Sequence, residues 1–169
     1  MSKIARATLG LAAEYSVAAE LCRRGVYSQL TLGNMKRTDL LVVAESGGFT
    51  QIEVKAKQGR QWPSCKGISG RRRYLVFVDF QGKDAADRPD FFVLSSTDWR
   101  KVLERRVRKA RRAGKKVRLT ADNVAVFTDQ ITRGGTPYRG MSISRSEVTD
   151  YCEKWSKIMR SIRAARYQL

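Results

Sequence analysis

The octapeptide RYLVFVDF, Arg73–Phe80, constrains the fold most. Its nearly continuous apolar run suits a central strand covered on both faces of a sheet. FTQIEVKAK, Phe49–Lys57, behaves differently. It alternates, with Ile52, Val54 and Ala56 on one side and Gln51, Glu53, Lys55 and Lys57 on the other. TDLLVVAE, Thr38–Glu45, precedes it across Ser46-Gly47-Gly48, a hairpin signal with a short glycine loop. DFFVLS, Asp90–Ser95, supplies a further strand after the loop GKDAADRP.

Helical periodicity brackets these strands. The first helix is expected from about Lys3 to Arg24, ending at Gly25. A second is expected from near Ser96 to Gly114, with Trp99, Val102, Leu103, Val107 and Ala110 at helical spacing. Residues Val117–Met141 read as irregular apart from one short strand, NVAVF. A last helix is expected from a capping box, Ser144 to Glu147, with the stripe Val148, Tyr151, Trp155, Ile158, Met159 and Ile162. The order predicts an α/β fold, a central mixed β-sheet flanked by helices. At 169 residues a single domain, 1–169, is expected.

Composition narrows the chemistry. The chain has no histidine, which removes the commonest general base and any His-dependent nuclease, hydrolase or zinc site. Cys22, Cys65 and Cys152 form no CxxC pair, which argues against a disulfide framework or a zinc site and suits a reducing cytoplasm. No apolar run approaches the roughly 18 residues of a membrane span, and the charged N-terminal stretch does not read as a secretory signal. The net charge of +18 points to a polyanionic partner, nucleic acid above all, rather than a membrane.

Carboxylates are therefore the candidates. At 100° per residue, Leu11, Tyr15, Ala18, Leu21 and Cys22 form one face of the first helix. Glu14 falls inside that face and Glu20 roughly opposite. A carboxylate on a buried face needs a partner, and an arginine, or a place at the stripe's edge, would serve Glu14 as plainly as chemistry. With Ser46-Gly47-Gly48 as a three-residue loop, Glu45 pairs with Phe49 and Asp39 falls across from Lys55. Asp39, Glu53 and Lys55 then share a face, with Asp39 and Glu53 diagonal neighbours. A one-residue slip would send Asp39 to the other face. Taken alone, Glu53 and Lys55 fit an ordinary solvated or cross-paired strand.

The set as a whole resembles the PD-(D/E)XK nuclease superfamily, in its restriction-endonuclease-like and Holliday-junction-resolvase-like members. GLAAEYSVAAELCRRG, RTDLLVV and QIEVKAKQG carry the likeness, and YLVFVDF…RPDFFVLSS is similar to the strands that continue that core. The similarity runs from about Leu9 to Ser96, and the Asp lies in RTD rather than after a proline. The resemblance implies a nuclease-like core over residues 1–96, with 97–169 as a basic helical extension packed on it. It implies Asp39 and Glu53 as oxygen ligands of Mg²⁺ or Mn²⁺, with Glu14 completing the site directly or through a metal-bound water. Lys55 would orient or deprotonate the attacking water, or stabilise developing charge; beside two carboxylates in an empty site it is held protonated. Gln58 stands where resembling proteins often place a polar residue near the scissile phosphate. Trp62 is expected in the core rather than stacked on a base. A homodimer is one expected assembly, because cutting two strands needs two sites.

Between Arg100 and Arg118 eleven cations face Glu104 alone, placing a net +10 of the +18 in this segment. Adjacent like charges on a helix repel, and phosphate contacts relieve that repulsion. Arg105, Arg108, Lys109, Arg112, Lys115 and Lys116, together with Arg71, Arg72 and Arg73 of GRRRY, are the expected nucleic-acid contacts. They encode no visible base sequence, so backbone-directed, salt-sensitive binding to double-stranded or branched DNA is expected. The expected activity is that of a metal-dependent DNA endonuclease. The alternatives are a catalytically inactive binding protein of the same fold, or an RNA- or ribosome-associated basic protein.

Overall fold

The computed structural model of the chain describes residues 4–31, 38–44 and 47–164. The expected α/β architecture is present, a central mixed sheet flanked by helices. Helix α1 (Arg6–Cys22) leads into β1 (Ser28–Leu30) and β2 (Leu40–Val43). Then come β3 (Phe49–Lys57), β4 (Gln61–Cys65), β5 (Arg73–Asp79) and β6 (Asp90–Ser95). The central sheet has the order β1-β2-β3-β5-β6, with β3 and β5 parallel and the other neighbours antiparallel.

Strand β5 is central, as its apolar run requires, and its alternate residues enter two cores. Tyr74, Val76 and Val78 join Ile52, Val54, Phe91 and Val93 under Ala13, Val17 and Leu21 of α1. Trp155 and Ile158 complete that layer; Ile158 lies on α3 (Ser156–Ala164). On the other face Leu75 and Phe77 meet Trp62 of β4 and Trp99, Val102, Leu103 and Val107 of α2 (Ser96–Arg112). The indoles find main-chain acceptors, Trp62 Nε1 donating to Val78 O at 3.1 Å and Trp99 Nε1 to Asn123 O at 3.0 Å. Trp62 is thus a core residue. At Gly67, with φ +77°, a Cβ would fall 1.6 Å from Trp99 Nε1, so this close approach requires glycine.

Several expectations need correction. Residues 117–141 are not irregular: β7 (Val117–Leu119), β8 (Ala125–Ile131) and β9 (Pro137–Arg139) form a three-stranded sheet. β10 (Met141–Ser144) pairs with β4. Of the expected extension, residues 97–164 are only partly helical, and they share the Trp62–Trp99 core with the first half of the chain. The Ser144–Glu147 capping box exists, but it caps a single 3₁₀ turn (Arg145–Glu147). A second 3₁₀ turn, Thr149–Tyr151, follows before α3 begins. The apolar stripe is consequently divided, Val148 and Tyr151 in one core and Trp155 and Ile158 in the other.

The exposed and buried faces of α1 are also rotated from expectation. Leu11 and Tyr15 are 49% and 58% exposed, whereas Glu20 is buried. Arg24, Arg23 and Arg88 all reach the Glu20 carboxylate. Hydrogen bonds from Arg88 above all, then from Arg24, hold it down at about 2 against the opposing effect of burial. The buried carboxylate of this helix is thus a structural one.

Candidate functional site

The β2–β3 hairpin turns one residue earlier than expected. Ala44 N–H donates to Gly48 O at 2.7 Å, and Val43 pairs with Phe49, Leu41 with Gln51 and Leu40 with Ile52. The Glu45–Phe49 pairing was expected of a residue outside those described. The observed register, shifted by two, does not place Asp39 across from Lys55.

Asp39 still reaches the Glu53-Val54-Lys55 triplet, by another route. Its N–H donates to Ile52 O at 2.9 Å, where the ladder ends. Beyond that point β3 runs on without β2. A continued ladder would offer Thr38 O to Val54 N–H, but Thr38 O accepts from the Thr31 hydroxyl at 2.6 Å. Asp39 Oδ2 takes its place, accepting from Val54 N–H at 2.6 Å. The carboxylate thereby sits on the middle residue of the triplet, at the strand edge.

Glu53 is only 4% exposed. Its Oε1 lies 2.7 Å from Lys55 Nζ, whose side chain is 33% exposed. Its Oε2 is buried without a hydrogen-bond partner. Such an orphaned carboxylate oxygen is costly unless a donor or cation meets it. Glu14, half-buried on α1, joins the group electrostatically. Burial raises its carboxyl above the ordinary 4.5, the charge of Asp39 raises it further, and Lys55 partly offsets both. Among the described residues Glu14 makes no hydrogen bond or ion pair, and Asp39 Oδ1 makes no hydrogen bond. Unused acceptor oxygens on three acidic residues beside one lysine fit a hard divalent cation chemically. The same described residues nonetheless contain no group of three His, Cys, Asp or Glu side chains gathered closely enough to hold a metal ion.

Gln58 stands apart from the carboxylates. Its Oε1 accepts from Ile4 N–H at 2.9 Å, tying the start of α1 to the end of β3. It also lines a cavity of about 800 Å³ with Arg6, Leu9, Pro63 and Phe80. Lys57, assigned to the polar side of β3, is buried: its Nζ lies 2.6 Å from the equally buried Asp79 and donates to Gln81 and Gly59 O. Alternation in the sequence carries no signal for that pair.

The basic residues divide by position. Arg105, Arg108, Lys109 and Arg112 are exposed on α2, and Lys115 and Lys116 are exposed just after it. No side-chain cation of these six meets a carboxylate among the described residues, although Lys116 N–H donates to Asp129 Oδ2 at 3.2 Å. Arg71 is exposed and Arg72 and Arg73 are half-buried, around a pocket of about 330 Å³ shared with Ser95, Ser96, Thr97 and Ser161. Arg73 Nε donates to Gln51 Oε1. No described helix is long and apolar enough to cross a membrane.

No protein-family model matches the chain, and no curated protein matches it. Among solved structures, a bacterial homing endonuclease, I-Ssp6803I, is similar at 14% identity and a TM-score of 0.49. That similarity covers 98% of this chain and 99% of the other.

Proposed function

We propose that the protein is a metal-dependent DNA endonuclease of restriction-endonuclease-like fold, with its site at Glu14, Asp39, Glu53 and Lys55. The observation that carries this reading is the buried Glu53 carboxylate. One oxygen meets Lys55 and the other has no hydrogen-bond partner among the described residues, while Asp39 docks on the residue between Glu53 and Lys55. Asp39 and Glu53 would hold Mg²⁺ or Mn²⁺, with Glu14 as a ligand of its water shell. When bound, such an ion supplies charge neutralisation at the phosphate and a more acidic water.

The chain's own groups do the rest. Lys55, ion-paired with Glu53 at 2.7 Å, stabilises charge on the phosphate oxygens and orients the attacking water. Glu14, half-buried on α1 and within the electrostatic reach of Asp39 and Lys55, would orient a water of the ion's shell. Gln58 acts by holding α1, and therefore Glu14, against β3. The exposed cations of α2 would hold the DNA backbone.

A second reading, a nucleic-acid-binding protein without chemistry, draws on one fact: the described acidic residues are not gathered into a three-ligand metal group. Incubation with supercoiled, linear and four-way-junction DNA, in Mg²⁺, Mn²⁺ or EDTA, separates the two. Metal-dependent cleavage supports the first, and binding in EDTA without cleavage in either metal supports the second.

A further inference from the structure

The three-stranded sheet ends in an arm that the core does not use. At its root Val117, Ala125 and Phe127 are buried, and Tyr138 packs on Phe127 with ring centroids 6.0 Å apart. Beyond the root every residue from Thr128 to Pro137 is exposed, including Ile131 at 61%. The ladder breaks between the Phe127–Tyr138 and Ile131–Pro137 pairs, so Thr128, Asp129 and Gln130 have no counterpart on β9. Pairing then resumes to the tip, where Thr132 N–H donates to Thr136 O at 2.8 Å around Arg133, Gly134 and Gly135. Thr128 N–H donates to Lys116 O at 2.9 Å and Asp129 Oδ2 accepts from Lys116 N–H at 3.2 Å, so the arm is anchored at its base, and beyond it a two-stranded hairpin with no layer beneath it is marginal in water without a partner.

Charge selects the kind of partner. Arg118 and Arg139 flank Val126 on the outer face of the sheet, both exposed, and Arg133 stands at the tip. Asp129 is the acid on the arm. The root of the arm is tied to β4: the Tyr138 hydroxyl lies 2.9 Å from Ser64 Oγ. Burial pushes the adjoining Cys65 thiol up to about 12, with smaller opposing effects of the Lys55 and Glu53 charges. A two-stranded ribbon fits the major groove of B-DNA, which is about 12 Å wide. Gln and Arg are the side chains that pair bidentately with adenine and guanine there, and an apolar side chain suits the thymine methyl.

We propose that residues 128–137 enter the major groove of duplex DNA and read base pairs through Gln130, Ile131 and Arg133, beside the strand presented to the site. This rests on the DNA reading above and adds sequence preference to backbone-directed binding.

The test is selection of bound duplexes from a randomised library in EDTA, where cleavage plays no part. The wild-type chain should enrich a short motif. Arg133→Ala should lose about tenfold discrimination at one base pair, and Gln130→Ala a similar amount at another. Lys115→Ala should instead weaken all sequences alike. Since the arm is fully exposed, the arm variants should unfold at the wild-type urea concentration. Binding with no enriched motif, or uniform weakening by Arg133→Ala, overturns this inference and leaves the nuclease reading standing. A self-association that Arg133→Ala abolishes would make a second copy the occupant and overturn it too. Failure to bind any duplex overturns both.

Discussion

The Asp39 carboxylate accepts a hydrogen bond from Val54 N–H at 2.6 Å, which seats it on the residue between Glu53 and Lys55. The parting of β2 from β3 makes this possible, because it frees a strand-edge donor beside a buried glutamate and a lysine. The Asp39 charge helps raise the Glu14 carboxyl, so removing that charge must be felt on α1. Asp39→Asn should lower the Glu14 carboxyl from its raised value toward 4.5, read by carboxyl carbon NMR across pH 3–8. The sign for stability follows. A carboxyl raised in the folded state binds its proton more tightly there, so Glu14's contribution is greatest at low pH. It is lost as pH rises from 4.5 through the folded value.

Glu20 has the opposite sign. Its carboxyl is held at about 2 by Arg88 and Arg24, so its stabilisation is present above pH 4.5 and is lost as pH falls toward 2. Glu20→Gln should cost about 2 kcal/mol at pH 7, below the ~3–5 kcal/mol of a fully buried pair, because the Arg24 and Arg88 side chains are 30% and 43% exposed. Urea midpoints from pH 2 to 7 should fall more steeply for wild type than for the variant.

The Lys57–Asp79 pair is enclosed on both sides, each side chain 1% exposed. Asp79→Ala leaves Lys57 buried without its counter-charge and should cost about 3–5 kcal/mol. Lys57→Met combined with Asp79→Leu should recover most of that loss, since a well-packed apolar pair needs no counter-charge. Denaturant unfolding of the single and double variants checks both outcomes.

Binding to duplex DNA should fall steeply with salt. Arg108→Ala and Lys109→Ala should each reduce the slope of log K against log salt by about 0.9, because both side chains are exposed without a carboxylate partner. Fluorescence anisotropy at several salt concentrations gives the slopes.

These residues also show what a single sequence can and cannot disclose. Strands β3 and β6 run over the residues that alternation and apolar continuity indicate, although β3 also buries Glu53 and Lys57 of the side that alternation marks as polar. The three-residue β7 and β9 are too short to carry a period. Glu20 and Lys57 look like surface charges because their partners, Arg88 and Asp79, lie 68 and 22 residues away. The hairpin register was open to error because Ser46-Gly47-Gly48 permits more than one loop placement. Asp39 reached the triplet despite the shifted register, through a side-chain bond to a main-chain N–H that no pairing rule anticipates.

The most direct test of the account is cleavage of supercoiled DNA in Mg²⁺ by the wild-type chain and by Glu53→Gln at matched binding. Wild type should nick or linearise the DNA in a way that EDTA abolishes, and Glu53→Gln should lose at least about a hundredfold in rate with DNA affinity retained. Cleavage undiminished in Glu53→Gln, or a wild-type chain that binds DNA and leaves it intact in both Mg²⁺ and Mn²⁺, would contradict it.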